Sequence, residues 1–296
     1  MSTSLRRRLL GEHPSGWGLV LPASVLILGL NIGPMVWAFL LSLRHDDLLA
    51  PSKWVGLANY RRLAEDPVFR AAIGHTLNYT ALFVPLSIAI GLGIAMMLNQ
   101  PVRFAGFYRT CVFVPFVVSA AAEGALFSFV FDPHYGVANA ALARVGIGPQ
   151  GFFQDPRQAM ATLVAISLWG GIGLCVVVLL AALQDVPTHL VEAARLDGAG
   201  RRAVFRHVTL PAITPVLVFL LVWQTLQALQ LFELVYTTTN GGPLRATTVV
   251  VFYVYQQAFQ QFDAGYGAAV AYVVAVAVFG LAVARLVLRR MRGRAG

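Results

Sequence analysis

The chain has 296 residues, of which 58% are hydrophobic and only 12% charged, and its mean hydropathy is +0.70. Soluble globular domains carry about a quarter charged residues, so this composition excludes a soluble domain and defines an integral membrane protein. A net charge of +9 and a pI near 10.1 would fit a nucleic-acid partner if the bases formed a stripe. They gather instead at the ends of apolar runs, the signature of membrane topology, and no nucleic acid is expected.

Six apolar runs follow in chain order, at 17–42, 72–98, 106–131, 160–183, 212–237 and 264–288. Each is near the ~20 residues that cross hydrocarbon as a helix. The expected fold is all-α and polytopic: six transmembrane helices in one membrane domain over 17–288, with tails at 1–16 and 289–296. The first run follows Arg6, Arg7 and Arg8 but exceeds the roughly 7–15 apolar residues of a signal peptide, so it reads as an uncleaved span.

Lysine and arginine placement sets orientation. With the N-terminus inside, the inner segments hold Arg6, Arg7, Arg8, Arg103, Arg109, Arg195, Arg201, Arg202, Arg206, Arg285, Arg289, Arg290, Arg292 and Arg294, which is 14 of the 22 bases. The outer loops, 43–71, 132–159 and 238–263, balance the remaining bases with Asp46, Asp47, Glu65, Asp66, Asp132, Asp155 and Asp263. Both termini are then cytoplasmic. The outer loops are long enough for short amphipathic helices, such as Val137 to Val145, and too short for a folded domain.

Chemistry within the chain is sparse. Cys111 and Cys175 lie inside apolar runs, so no disulfide framework is indicated. The six histidines are scattered without ligand spacing, and no metal is expected. A Gly-x-x-x-x-Gly-Lys-Ser/Thr phosphate loop is missing, and the single lysine, Lys53, falls in an outer loop; the chain is not expected to hydrolyse ATP or to be an enzyme.

The loop between the fourth and fifth runs, 184–211, is the most informative segment. Pro187 and Thr188 are start-type residues and Gly198 and Gly200 stop-type residues, framing a helix of about ten residues. Leu190, Val191 and Ala194 fall on one side, while Glu192 and Asp197 are polar. So short a helix is marginal alone and needs a partner groove. A second short helix, Arg202 to Val208, leads to Leu210 and Pro211, with Pro215 near the start of the fifth span.

Polar groups inside spans are expensive and face a cavity or another helix. Glu123 and Glu233 qualify, and Gln224, Gln227, Gln230 and Glu233 recur every third residue as a stripe on the fifth span. Two readings stand side by side: partners for sugar hydroxyls, with Trp169 or Trp223 offering a ring face, or helix-to-helix hydrogen bonds toward a second membrane subunit. Trp169, beside Gly170, Gly171 and Gly173, also fits a close helix crossing.

The spaced set Glu192, Ala193, Ala194, Asp197, Gly198, Ala199, Leu210 and Pro211 resembles the cytoplasmic EAA loop of the permease subunits of binding-protein-dependent ABC importers. Asn78 in Thr-Leu-Asn-Tyr-Thr, Arg109 with Pro115, and Asn240-Gly241-Gly242-Pro243 followed by Thr247 and Thr248 look like the sugar-type branch, the maltose and glycerol-3-phosphate permeases. The short tail before the first span favours the shorter glycerol-3-phosphate-like type. The resemblance implies a bacterial cytoplasmic-membrane subunit surrounded by membrane lipid. Its implied partners are a second permease, cytoplasmic subunits that bind ATP and Mg and hydrolyse the nucleotide, an extracytoplasmic solute-binding protein or lipoprotein, and a sugar-class substrate. Glu192 is then expected at the ATPase cleft, Ala193 and Ala194 to allow close approach, and Gly198 to make the turn. The rival classes are an ion-gradient-driven secondary carrier, for which Glu123 and Glu233 would supply coupling acids, and a membrane assembly or scaffold subunit with no transport path.

Overall fold

A computed structural model describes residues 14–46, 51–101 and 103–292, with side chains from 20 to 280 within those ranges. Arg6, Arg7, Arg8, Asp47 and Arg294, with most of the two tails, lie outside the described residues. The chain gathers into two compact units, one of residues 67–253 and one of residues 1–66 with 254–296.

In the larger unit, helix α4 (Pro67–Leu98) starts five residues before the apolar run, because proline is well suited to a first helical position, where its missing N–H costs nothing. Helices α5 (Ala105–Val117) and α6 (Ala120–Val130) follow, then α7 (Val137–Arg144) and α8 (Ala159–Gln184). Helix α8 is the hub, packed on α4, α5 and the later α11 (Leu210–Leu229). Small residues allow this closeness: a Cβ on Gly91 would lie 2.9 Å from the Cys175 Cβ, and one on Gly173 would lie 2.7 Å from the Val112 carbonyl oxygen. Lipid tails are as apolar as leucine, so such steric fit, rather than burial from water, holds helices together in a membrane. The core joins Ala95, Val176, Leu179, Ile213 and Leu220, from the C-terminal parts of α4 and α8 and the N-terminal part of α11.

Two expectations are corrected here. The third run is not one helix: α5 and α6 meet at a 98° bend. Val118 is extended and ends α5, and Ser119 caps α6 by accepting the Ala122 N–H at 3.3 Å, so a serine N-cap starts a second helix inside one apolar run. The fifth run starts earlier than its hydropathy indicates and is interrupted near its end, within an apolar span of Arg201–Thr237. The second short helix is not separate: Arg201–Val204 (α10) passes through a π turn, Phe205–Thr209, straight into α11. Helix α11 ends at Leu229 with Gln230 as its cap, and Glu233 opens a separate short helix, α12 (Glu233–Thr237). The glutamine stripe therefore does not continue along one helix to Glu233.

Among the described residues four helices are long and apolar enough to cross a membrane, five if the bent pair is one span. After a short helix, α13 (Val250–Tyr255), the sixth run is also helical, as α14 (Ala264–Arg292), with side chains described to Gly280.

The smaller unit contains α1 (Pro14–Ile27), a π turn at Leu28–Ile32, α2 (Gly33–Ser42) and α3 (Ala58–Glu65). A two-residue antiparallel pair joins β1 (Arg44–His45) to β2 (Lys53–Trp54), with Arg44 opposite Trp54. The most apolar window within the first span, Val20–Ser42, holds no fully buried residue, which is the pattern of a helix that meets lipid or another subunit over most of its surface. Asn59 fixes the end of α2, donating to the carbonyls of Ser42 and Arg44 at 2.9 and 2.8 Å. Arg62 pairs with Asp263 at 2.6 Å and lies over the Tyr266 ring, while the Tyr266 hydroxyl donates to Asp66. Helix α14 packs on α2 and α3, and a third π turn, Gln256–Gln260, precedes it.

Candidate coupling loop and transmembrane cavity

The predicted coupling helix forms as α9, Thr188–Leu196, led by the extended Pro187. It stops where Gly198 turns left-handed at φ +81°, a conformation that a Cβ would strain. No residue of α9 is buried. Leu190 is 46% exposed and Leu196 is 90% exposed, unusual for apolar side chains on a charged loop. Glu192, Ala193, Asp197 and Pro211 are exposed, and Ala194, Ala199 and Leu210 are half-buried. Behind the helix lies a cavity of about 720 Å³, where Glu192, Arg195 and Arg201 face the ends of α4 and α8 at Asn99, Gln100 and Gln184.

A second cavity, about 490 Å³, opens deeper in the same unit. The bend at Val118 and Ser119 places Glu123 in the first turn of α6, where the positive end of the helix dipole favours a carboxylate. Glu123 is 7% exposed, and the space for it is made by Gly170, on which a Cβ would sit 2.2 Å from the Glu123 Oε1. One residue on, Gly124 lets α6 touch α12; a Cβ there would lie 1.9 Å from the Thr237 Oγ1. Gln227, Gln230 and Glu233 line the same cavity despite the break after Leu229. Gln224 does not line it: that side chain is buried, with its Nε2 lacking a partner among the described residues.

The aromatic lining was missed at the level of sequence. Trp169 packs edge-on against Phe127 at 5.1 Å, and Trp223 stacks on Phe219 at 6.3 Å; neither lines the cavity. Tyr79 and Phe83 do, stacked at 5.5 Å, together with Phe116 and Phe232. Their spacing on α4 is ordinary for a core stripe, so nothing local marks them as wall residues.

The Gly-Gly-Pro segment is a knotted turn rather than a loose loop. Asn240 and Gly241 are left-handed, and the Gly242–Pro243 bond is cis. Thr247 donates to the Gly242 carbonyl at 2.7 Å and Thr248 to the Gly241 carbonyl at 3.1 Å. Helix α4 holds the far side, with the Thr76 hydroxyl accepting the Val250 N–H at 2.9 Å. A third cavity, about 390 Å³, lies between this turn and Ser128, Asp132 and Phe153. The predicted short helix near Val137 is present as α7, and its loop is tied by Asn139, which donates to the Pro133 and Gln150 carbonyls at 3.0 Å each.

Long apolar helices, a cavity between them lined in part by acids and amides, and an exposed helix on a charged loop define a helical membrane transport component. Comparison with known proteins narrows that class. Residues 87–293 match the family described as binding-protein-dependent transport system inner membrane component. The chain is 32% identical to a sulfoquinovosyl glycerol transport system permease protein of Agrobacterium fabrum, over 90% of this chain and 87% of that one. It is 30% identical to a trehalose/maltose transport system permease protein of Thermococcus litoralis, over 95% of each. Among solved structures, a chain of a bacterial alginate ABC transporter, crystallised with an alginate pentasaccharide-bound periplasmic protein, superposes with a TM-score of 0.81 at 23% identity, over 94% of each chain. That likeness shows the fold. The chain belongs to the binding-protein-dependent transport inner membrane component family, as a multi-pass permease subunit of an ABC importer. A trehalose/maltose relative of matching length means that a short N-terminal tail does not choose between the maltose and glycerol-3-phosphate types.

Proposed function

We propose that this chain, paired with a second permease, forms the translocation path for a sugar or sugar derivative, and that α9 couples that path to cytoplasmic ATPase subunits. The observation that carries the reading is α9 itself. A nine-residue helix with no buried residue has too few contacts within the chain to be stable alone, and its exposed Leu190 and Leu196 fit a groove on another protein. Glu192 then lies at the ATPase cleft, Ala193 and Ala194 permit close approach, and Gly198, Leu210 and Pro211 set the turn back to the membrane. ATP and Mg belong to the partner subunits, and a solute-binding protein delivers substrate from outside. The sugar class is supported by the relatives' names, trehalose/maltose and sulfoquinovosyl glycerol. Both termini face the cytoplasm in this reading, in line with the basic asymmetry of the loops.

The test is uptake in cells carrying the intact importer, measured beside ATPase retention on the membrane subunits. Replacing Ala194 with Asp inserts a charge at the docking face, and a buried unpaired polar group costs about 1–3 kcal/mol. Insertion is expected to be normal while uptake and ATPase retention fall together. Normal uptake by this variant, or uptake driven by an ion gradient without ATP, overturns the coupling role. Reporter fusions at Gly296 and within Gly241–Arg245 are expected to give opposite signals; equal signals overturn the orientation.

A further inference from the structure

The cavity beside Glu123 has a definite sign. Among the described residues Glu123 and Glu233 are its only charged lining groups, with no Lys, Arg or His beside them. Glu123 as a residue is 7% exposed, and its carboxylate lies in the space that Gly170 leaves open to the cavity. Its side chain has no hydrogen-bond or ion-pair partner among the described residues. A buried carboxylate without a partner is costly unless something else satisfies it. Among the described residues the provision for it is the first-turn position on α6, and the acceptor oxygens are left for a ligand's donors.

The outer cavity repeats the sign. Asp132 is its only charged lining group, and the two cavities share the same two helices, since α6 carries Glu123 and Ser128 while α12 and its cap carry Glu233 and Thr238. Tyr79 and Phe83 supply stacked aromatic wall in the deeper cavity, and Gln227 and Gln230 supply amides that both donate and accept. Hydroxyl donors, or an ammonium group, satisfy such a wall. A carboxylate, phosphate or sulfonate would stand beside the acidic pair Glu123 and Glu233 with no base in the lining to offset it.

Building on the permease reading, we propose that this cavity admits a hydroxyl-rich solute with no negative charge, and that Glu123 is the residue that sets this selection. The sites of this chain thereby side with the trehalose/maltose relative, whose named solutes are neutral, and against anions such as the sulfonate that sulfoquinovosyl glycerol carries.

The test reads the field of the cavity directly, so it does not depend on knowing the substrate. In the intact importer, with Cys111→Ser removing the exposed native thiol, a Gln230→Cys substitution places a reactive thiol on the cavity wall. Its labelling rates with a cationic trimethylammonium methanethiosulfonate and an anionic sulfonate methanethiosulfonate are compared with the rates of the same two reagents on a free thiol in solution. One-signed clefts raise the local concentration of opposite charge by ~10-fold or more. The cation-to-anion ratio is expected to exceed the solution ratio by about tenfold and to fall most of the way back in Glu123→Gln, a variant of equal volume. A ratio equal to that in solution, or one unchanged by Glu123→Gln, overturns the proposal. Mass spectrometry of the ligand that copurifies with the binding protein is the second reading: a neutral or amino sugar supports the proposal, an anionic one overturns it. ATP-dependent uptake is scored separately. Its absence with a tenfold ratio defeats the permease reading and leaves the charge of the cavity standing.

Discussion

The coupling loop and the deep cavity are built on opposite plans. Helix α9 is a contiguous segment with every residue at least partly exposed, held by the extended Pro187 at one end and left-handed Gly198 at the other. The cavity draws its lining from α4, α5, α6, α8, α11 and α12, and its two essential glycines face atoms more than forty residues away in sequence: Gly170 the Glu123 carboxylate, Gly124 the Thr237 hydroxyl. A surface element that transmits a conformational bias needs only its own shape and a free face. A solute path needs several helices to agree on one space, so the same substitution has different consequences in the two places.

The sharpest separation comes from bulk at the cavity. Gly124→Leu and Gly170→Leu each force a side chain into a contact already at its limit, and overpacking costs about 1–3 kcal/mol. Thermal unfolding of the detergent-solubilised importer is expected to shift downward, with uptake lost as well. Unchanged unfolding in both variants would mean that the helices can separate there, and the contrast with the loop would fail. Gly198→Val is the matching change in the loop. Strain at a left-handed position is worth about 1–2 kcal/mol but falls on an exposed turn, so membrane insertion and the unfolding of the spans are expected to stay normal while ATPase retention drops.

This contrast also explains what the sequence made legible. The Pro-Thr start and Gly stop of α9 lie within a dozen residues of one another, and local backbone chemistry is enough to read them. The helix break before Glu123 had a local signal as well, a serine cap at Ser119, but hydropathy alone bridged it because every neighbour is apolar. The end of α11 at Leu229 carries no glycine or proline, so the polar stripe from Gln224 to Glu233 looked continuous. Glu123, Gln227, Gln230 and Glu233 were readable as intramembrane polar residues. Tyr79 and Phe83 were not, since an aromatic pair on a buried helix looks the same whether it faces a helix or a cavity.

A smaller effect is expected in the other compact unit. Asn59 donates to two carbonyls at the end of α2, and Asn59→Ala leaves the buried Ser42 end short of donors at a cost of roughly 1–2 kcal/mol, read as a lower unfolding temperature with the charge ratio of the cavity unchanged. The smallest belongs to Arg62→Gln. Arg62 is 54% exposed in its pair with Asp263, and exposed pairs are worth about 0–1 kcal/mol. Its unfolding temperature is expected to match that of the parent closely.

The π turn at Phe205–Thr209 gives the chain a tolerance to changes in length. A π turn holds one residue more than the α turns around it, so it behaves as an insertion that the helix has absorbed without rephasing its two ends. Deleting one residue from Phe205–Thr209 is then expected to leave an ordinary helix, with the loop before it and the glutamines after it facing as they did. Deleting one residue from Leu210–Leu229 has no such slack to draw on. It turns everything downstream by about 100° and carries Gln227 and Gln230 off the cavity wall.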